Sequence, residues 1–436
     1  MSTSGAPLDQ ADRTPSKTPR VVIVGAGFGG LAVVDGLRSK SVEMTVIDRQ
    51  NHHLFQPLLY QVATAALSPA DIAGPIRAIV KKARNVHVVL DEVVGVDTDN
   101  RRVMLASGAS YPYDRLVIAT GARHSYFGND HWSVFAPGIK TIDDATLVRR
   151  RILLAMERAE TYRQERSSRR EEFLTFVIIG GGPTGLEMAG AIAELTRHAA
   201  AMDFRYITPR CVKIVLIEAG DRLLPGFPQP LSEFAKSELE KLGVEVLLGA
   251  RVTDIDDTGV SMGDLRIVSS TVVWAAGVQA SPAAGWLGAT ADRAGRVVVE
   301  PDLTVKGYPE IFAIGDTSSV TQRDGTPVPG IAPAAKQQGV YVAKRIAATL
   351  RGGGGHKAFR YRNFGTLATI GRKSAVINFG WTQVRGQLAW LIWSTAHLYF
   401  LVGFRNRLLV GLTWLWNYLT FERGARLITG LRSDQD

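Results

Sequence analysis

The chain has 436 residues, room for about two to four domains, and its 46% apolar and 21% charged content excludes wholesale disorder. Its one cysteine, Cys211, excludes an internal disulfide, a redox-active cysteine pair and a four-cysteine metal site. A net charge of +10 suggests an anionic partner (nucleotide, membrane surface or nucleic acid), and the stretch from Gly352 onward holds 11 Lys/Arg against 3 Asp/Glu.

Residues 1–19 are rich in Ser, Thr and Pro, lack an apolar run and read as a disordered tail with no signal peptide. With almost no cysteine, the globular part is expected to face a reducing compartment. Arg20–Val24 then reads as a buried parallel strand. Gly25-Ala26-Gly27-Phe28-Gly29-Gly30 follows and opens a helix from Leu31 to about Arg38, so a G-x-G-x-x-G fingerprint sits in its strand–turn–helix context. Gly25 permits the tight turn, Gly27 the approach of a diphosphate and Gly30 close helix packing. The next strand, Glu43–Ile47, ends at Asp48, a carboxylate for ribose hydroxyls, with Arg49 behind it.

Phe55–Thr64 is apolar with two Gln and, by itself, reads as core; Ser68-Pro69-Ala70-Asp71 reads as a capped helix start. Tyr113–Ala122 is a buried strand closing in Ala119-Thr120-Gly121. A second fingerprint follows about 155 residues after the first: strand Phe176–Ile179, then Gly180-Gly181-Gly182-Pro183-Thr184-Gly185, then a helix from Leu186 to about Ala200. Its acid strand, Val212–Ile217, ends at Glu218, after an insertion of about 12 residues. Glu218 is expected to bind the NAD ribose and repel a 2′-phosphate, although Arg222 could blunt that preference. Val272–Gly277 repeats the strand ending, with Ala276-Gly277, and Ile311–Asp316 is another strand, closing in Gly-Asp. Two fingerprints on one chain call for two dinucleotides, which suits FAD plus a nicotinamide nucleotide. The fold class expected is therefore α/β, with two Rossmann-type dinucleotide-binding domains. No His, Cys or carboxylate spacing marks a metal site; His52, His53 and His397 stand alone.

The Gly352–Gly355 run marks a boundary, Tyr361–Phe379 alternates as a short hairpin would, and two apolar segments follow, Gln387–Phe404 and Arg405–Phe421. Five of the eight Trp lie in this region. In the second segment Asn406, Thr413, Asn417 and Thr420 share a narrow polar face opposite Leu408, Leu412, Leu415, Trp416 and Leu419. An interfacial helical hairpin is expected, with a spanning hairpin or a dimerisation arm as alternatives; Arg405, Arg407, Arg423 and Arg426 would reach anionic headgroups. The longest apolar runs carry no Lys or Arg, which argues against nucleic acid.

Together these motifs resemble the two-dinucleotide-binding-domain flavoproteins over residues 20–345. His53–Thr64, Leu223-Leu224-Pro225 and the aromatic C-terminal extension are most similar to type II NADH:quinone oxidoreductases. The resemblance implies a non-covalent FAD on Gly25, Gly27, Phe28, Gly29, Gly30, Asp48, Arg49, Ala119, Thr120, Gly121, Asp316, Lys336 and Gln337. It implies NADH on Gly180, Gly182, Pro183, Thr184, Gly185, Glu187, Glu218, Ala276 and Gly277. A membrane quinone would meet Phe55, Gln56, Pro57, Gln61 and Gln337, with Glu187, Lys336 and Gln337 as catalytic candidates. Family members often have Gln where Pro333 stands here, and proline offers no hydrogen bond to a quinone. The resemblance further implies a peripheral, non-proton-pumping enzyme on the cytoplasmic face of the cell membrane, touching anionic lipid and forming a homodimer. Expected boundaries are an FAD domain at 20–134 and 296–350, an NADH domain at 135–295 and a C-terminal region from 351. Two further readings stay open: a flavin reductase for a soluble acceptor, and a slow NADH-responsive flavoprotein with a signalling or scaffolding role.

Overall fold

The structure, a computed structural model, describes residues 18–162, 168–353, 357–420 and 424–429. The chain divides into two compact units. One comprises residues up to Asn51, Pro75–Ala122 and Ala280–Tyr361; the other comprises His52–Gly74, Arg123–Gln279 and residues from Arg362 onward.

The first unit is built on a six-stranded sheet in the order Thr304–Val305, Tyr308–Ala313, Arg115–Ile118, Arg20–Val24, Glu43–Asp48, Val86–Leu90. All neighbours run parallel except Thr304–Val305 against Tyr308–Ala313. The all-apolar Val21–Val24 stretch occupies the centre because both faces are covered. Val21 and Ile23 pack into one cluster with Val33, Leu37 and Val342, and Val22 and Val24 into another with Leu105, Leu287 and Ile311. The Phe28–Leu37 helix lies close against Ala332–Thr349, since a Cβ on Gly339 would sit 2.3 Å from the Gly29 carbonyl oxygen.

In the second unit a parallel sheet runs Val244–Leu247, Lys213–Ile217, Thr175–Ile179, Thr271–Trp274. Val177, Ile179, Val215, Ile217 and Trp274 pack with Tyr126 and Trp132 on one face. The Pro183–Met202 helix is two residues longer at its end than the pattern predicts, and so takes up the start of the inserted stretch.

The compact units differ from the expected domain boundaries in several places: residues 123–134 fall in the second unit, and 280–295 and 351–361 in the first. Residues 52–74 belong with the second unit rather than the first. The C-terminal region belongs with the second unit too, because its hairpin clamps the Pro183–Met202 helix. A Cβ on Gly190 would lie 2.8 Å from the Gly371 nitrogen, and Arg372 N donates to Glu194 Oε1 at 2.9 Å. The expected hairpin has gained a third strand: Thr366–Ile370, Ser374–Asn378 and Gln383–Gly386 form one antiparallel sheet.

Two helices follow, Gln387–Phe400 and Phe404–Thr420. Among the described residues no helix is long and apolar enough to cross a membrane. The polar stripe turns inward: Asn406 Nδ2 donates to the Ala73 carbonyl at 3.3 Å, and Asn417 Nδ2 to that of Ala66 at 3.4 Å. Leu408, Leu412, Leu415, Trp416 and Leu419 face outward, each more than half exposed. Arg405 is exposed, as the pattern suggests, whereas two of the other arginines are engaged. Arg407 donates to the Leu401 carbonyl at 2.8 Å and Arg426 pairs with Asp203, while Arg423 lies outside the described residues.

Candidate functional site

Each fingerprint strand lies between two others, one ending in an acid and one ending in a small-residue turn, so the order reverses beside it, where open α/β sheets bind ligands. In the first unit Gly25 N donates to Ile47 O at 2.8 Å and Ala119 N to Val24 O at 2.8 Å; in the second Gly180 N donates to Ile217 O at 2.8 Å and Ala275 N to Ile179 O at 2.7 Å. Gly25 (φ +100°) and Gly180 (φ +112°) turn in the left-handed region. A Cβ on Gly30 would lie 1.9 Å from the Gly25 oxygen, and one on Gly185 would lie 1.8 Å from the Gly180 oxygen. By contrast a Cβ on Gly27 or Gly182 would meet nothing within 4 Å, which leaves open space at the two helix starts. Neither helix has a side-chain cap, so its first N–H groups are available to a diphosphate.

The two acids grip their loops alike. Asp48 accepts from Ala26 N at 2.6 Å and Gln50 N at 2.8 Å; Glu218 accepts from Gly181 N at 2.5 Å and Gly220 N at 2.7 Å. A carboxylate has about four lone-pair sites, so each retains capacity for ribose hydroxyls. Among the described residues Arg222 makes no ion pair with Glu218; its guanidinium donates to the carbonyls of Phe227 (3.0 Å) and Pro225 (2.7 Å).

The first cradle is closed by groups that sequence reasoning missed. The Thr317 hydroxyl accepts from Gly121 N at 2.8 Å and lies 3.1 Å from that of Thr120, which is 2.5 Å from Ser281 Oγ. Buried Gln338 accepts from Gly315 N at 2.5 Å, fixing the turn (Gly315 φ +71°) that carries Asp316. No hydrogen bond or ion pair to the Asp316 carboxylate occurs among the described residues. This orphan acid, so close to Gly330 that a Cβ there would lie 3.2 Å from its Oδ1 just before the uncapped Ala332–Thr349 helix, fits the ribityl and phosphate end of FAD. These long-range partners have no local signal; they emerge only once the strands are neighbours. Phe28 is half-buried at the helix start and Arg49 is exposed.

Lys336 and Gln337 lie on the Ala332–Thr349 helix, which Pro333 opens and no side chain caps; Lys336 is exposed and Gln337 half-buried. Gln337 belongs to the first unit, whereas Phe55, Gln56, Pro57 and Gln61 belong to the second. Phe55 is buried, edge-on to His397 at 6.1 Å, and Gln56 is exposed with a 3.3 Å bond to the Lys140 carbonyl. Gln61 is buried, donates to Tyr60 Oη at 2.9 Å and accepts from Trp414 Nε1 at 2.7 Å. It lines a cleft of about 720 Å³, counting its open mouth, with Tyr60, Trp390, Trp393, Trp414 and Tyr418.

Glu187 sits in the first turns of the Pro183–Met202 helix. It keeps a little solvent contact but is packed among protein atoms, and this desolvation pushes its carboxyl up to about 8, against a weak opposing bond from Thr369 N at 3.5 Å. It can therefore hold a proton at neutral pH. Burial lowers His397 to about 4, which keeps it neutral against Trp393, 4.0 Å away. Among the described residues no group of three His, Cys, Asp or Glu could hold a metal.

Residues 19–339 match the family model described as pyridine nucleotide-disulphide oxidoreductase, and residues 364–423 match the NDH2 C-terminal domain. A type II NADH:quinone oxidoreductase of Mycobacterium tuberculosis, Ndh, is 43% identical over 97% of this chain and 93% of its own length. A second from the same organism, NdhA, is 44% identical over 94% of this chain and 89% of its own. The fold is shared with the structure of NDH2 from Plasmodium falciparum in complex with NADH: TM-score 0.84, 19% identity, covering 95% of this chain and all of that one.

Proposed function

The chain belongs to the type II NADH:quinone oxidoreductase family, and on that premise we propose that its first unit retains FAD, its second exchanges NADH, and the electrons pass to a membrane quinone. It is an oxidoreductase of the pyridine nucleotide class with a single, exposed cysteine, so no cysteine pair relays electrons. The observation that carries the reading is the pair of matched cradles, each with a fingerprint turn, an uncapped helix and an acid bound to the loop.

Bound FAD would supply the two-electron chemistry that links hydride donation by NADH to reduction of the quinone. Asp48 and Glu218 orient the ribose ends, and the glycine turns let the diphosphates reach backbone N–H groups. Asp316 would hold the FAD chain as a hydrogen-bond acceptor. Glu187, protonated at neutral pH, holds a proton at its carboxyl oxygen for the reduced product. Within the second unit Gln61 and Phe55 would contact the quinone, and the aromatic cleft beside Gln61 is its approach from the lipid. Pro333 leaves the start of its helix to act through backbone N–H groups instead of the usual side chain.

The outward leucines and Trp416 rest on the bilayer, which makes the enzyme peripheral; we place it on the cytoplasmic face of the cell membrane, with anionic lipid and a second copy as partners. Leu412→Asp with Leu419→Asp should abolish flotation with anionic vesicles yet leave turnover with a water-soluble quinone intact; undiminished flotation would remove this face from membrane binding. NADH oxidation should accelerate on adding a short-chain quinone to air-saturated enzyme and, in sealed vesicles, build no proton gradient. Turnover with oxygen alone, indifferent to quinone, would refute the acceptor.

A further inference from the structure

The order of the second unit's sheet fixes which way a dinucleotide must run. Glu218, at the end of Lys213–Ile217, takes the adenosine ribose, and the fingerprint takes the diphosphate. The other half must then pass over the end of Thr271–Trp274 on the opposite side. That end is Ala275-Ala276-Gly277, and a Cβ on Gly180 would lie 2.6 Å from both the Ala275 carbonyl carbon and Ala276 Cα.

Against this strand end lies Phe127. A Cβ on Gly277 would stand 2.6 Å from its Cζ, and its ring is 6.2 Å from that of Trp274. Phe127 is 68% exposed and takes no part in the buried cluster that holds its neighbours Tyr126 and Trp132. Its backbone is nevertheless held in the left-handed region, φ +54°, a conformation that bulky residues avoid and that recurs at ligand clamps. The loop is braced to hold it: Trp274 Nε1 donates to Ser125 O at 2.9 Å and Ser125 N to Gly277 O at 3.1 Å. A strained backbone that presents an aromatic face to solvent, against the residue that follows Ala276, contributes nothing to the core. A flat ligand accounts for it.

We propose that Phe127 seats the nicotinamide half of the nucleotide by packing against it, a role that rests on the reading of the second unit as the NADH site. NAD⁺ and AMP leave the flavin oxidised, so both can be titrated calorimetrically into the holoenzyme as wild type, Phe127→Ala and Phe127→Tyr. Phe127→Ala should weaken NAD⁺ by about three- to tenfold, leave AMP within about twofold, and keep the unfolding midpoint, while Phe127→Tyr restores NAD⁺. Equal NAD⁺ affinity in wild type and Phe127→Ala would overturn the proposal, as would a parallel loss of both ligands with a lowered unfolding midpoint, the signature of a merely structural ring. Wild-type enzyme that binds neither ligand would instead bring down the NADH reading itself.

Discussion

In the first unit the strand beside the fingerprint ends in Thr120-Gly121, tied down by Thr317 and Ser281, and buried Gln338 locks the turn that carries Asp316. In the second, the matching strand ends in Ala276-Gly277, and its neighbour is an exposed phenyl ring. The floors of the two cradles agree bond for bond, yet the first has walls of hydrogen-bonded polar side chains, whereas the second has a loop held by backbone carbonyls that offers a phenyl ring. Pre-organised polar walls favour retention, because little ordering remains to be done on binding. Lighter walls favour exchange. On the proposed assignment the same motif serves a resident cofactor and a substrate, with the difference written in residues outside it.

The strongest way to break this comparison is to damage one floor at a time. Gly30→Ala drives a methyl to within 1.9 Å of the Gly25 oxygen, and purified protein should retain less than about a tenth of its flavin. Gly185→Ala makes the equal clash in the second cradle and should raise the NADH KM about tenfold or more at normal flavin content. Flavin loss in Gly185→Ala and retention in Gly30→Ala would reverse the assignment.

Both floors were legible in the sequence because they are local: strand, turn, helix and terminal acid follow one another within the chain. The walls were not, since Thr120, Ser281 and Thr317 meet only through the order of the sheet. The C-terminal stripe was legible as a stripe, but the carbonyls of Ala66 and Ala73 that draw it inward lie some 340 residues away (Asn417 and Asn406 are separated from them by 351 and 333). Likewise, the position of Arg222 suggested interference with Glu218, and only the fold reveals that its guanidinium hydrogen-bonds to the neighbouring carbonyls of Phe227 and Pro225. Phe127 carried no signal because its backbone conformation and exposure are invisible to pattern.

Milder substitutions sharpen the contrast. Glu218→Gln keeps one loop bond but points an amide donor at the other N–H, so the preference for NADH over NADPH should fall about tenfold; an unchanged preference would remove Glu218 from discrimination. Thr317→Val deletes the acceptor for Gly121 N and should weaken flavin binding by about three- to tenfold, seen as faster flavin release on dilution, with NADH KM unmoved.

The smallest effect is on stability. The Glu187 carboxyl is raised to about 8 in the folded protein, so between its unfolded value and 8 the folded state binds the extra proton. Wild-type stability should therefore fall as pH rises through that window and level off above it. Glu187→Gln lacks the ionisation, so its unfolding midpoint should gain on wild type as pH rises from about 4.5 to about 8 and then run parallel. A constant offset would mean that Glu187 titrates normally.

The most direct test follows the electrons through both cradles in one sample. Purified holoenzyme, held anaerobically, is mixed with NADH while its visible flavin band is recorded, and a short-chain quinone is then added. The account predicts rapid bleaching and rapid recovery, at rates compatible with turnover. A band that NADH does not bleach, or one that bleaches and stays bleached in the presence of quinone, would contradict it.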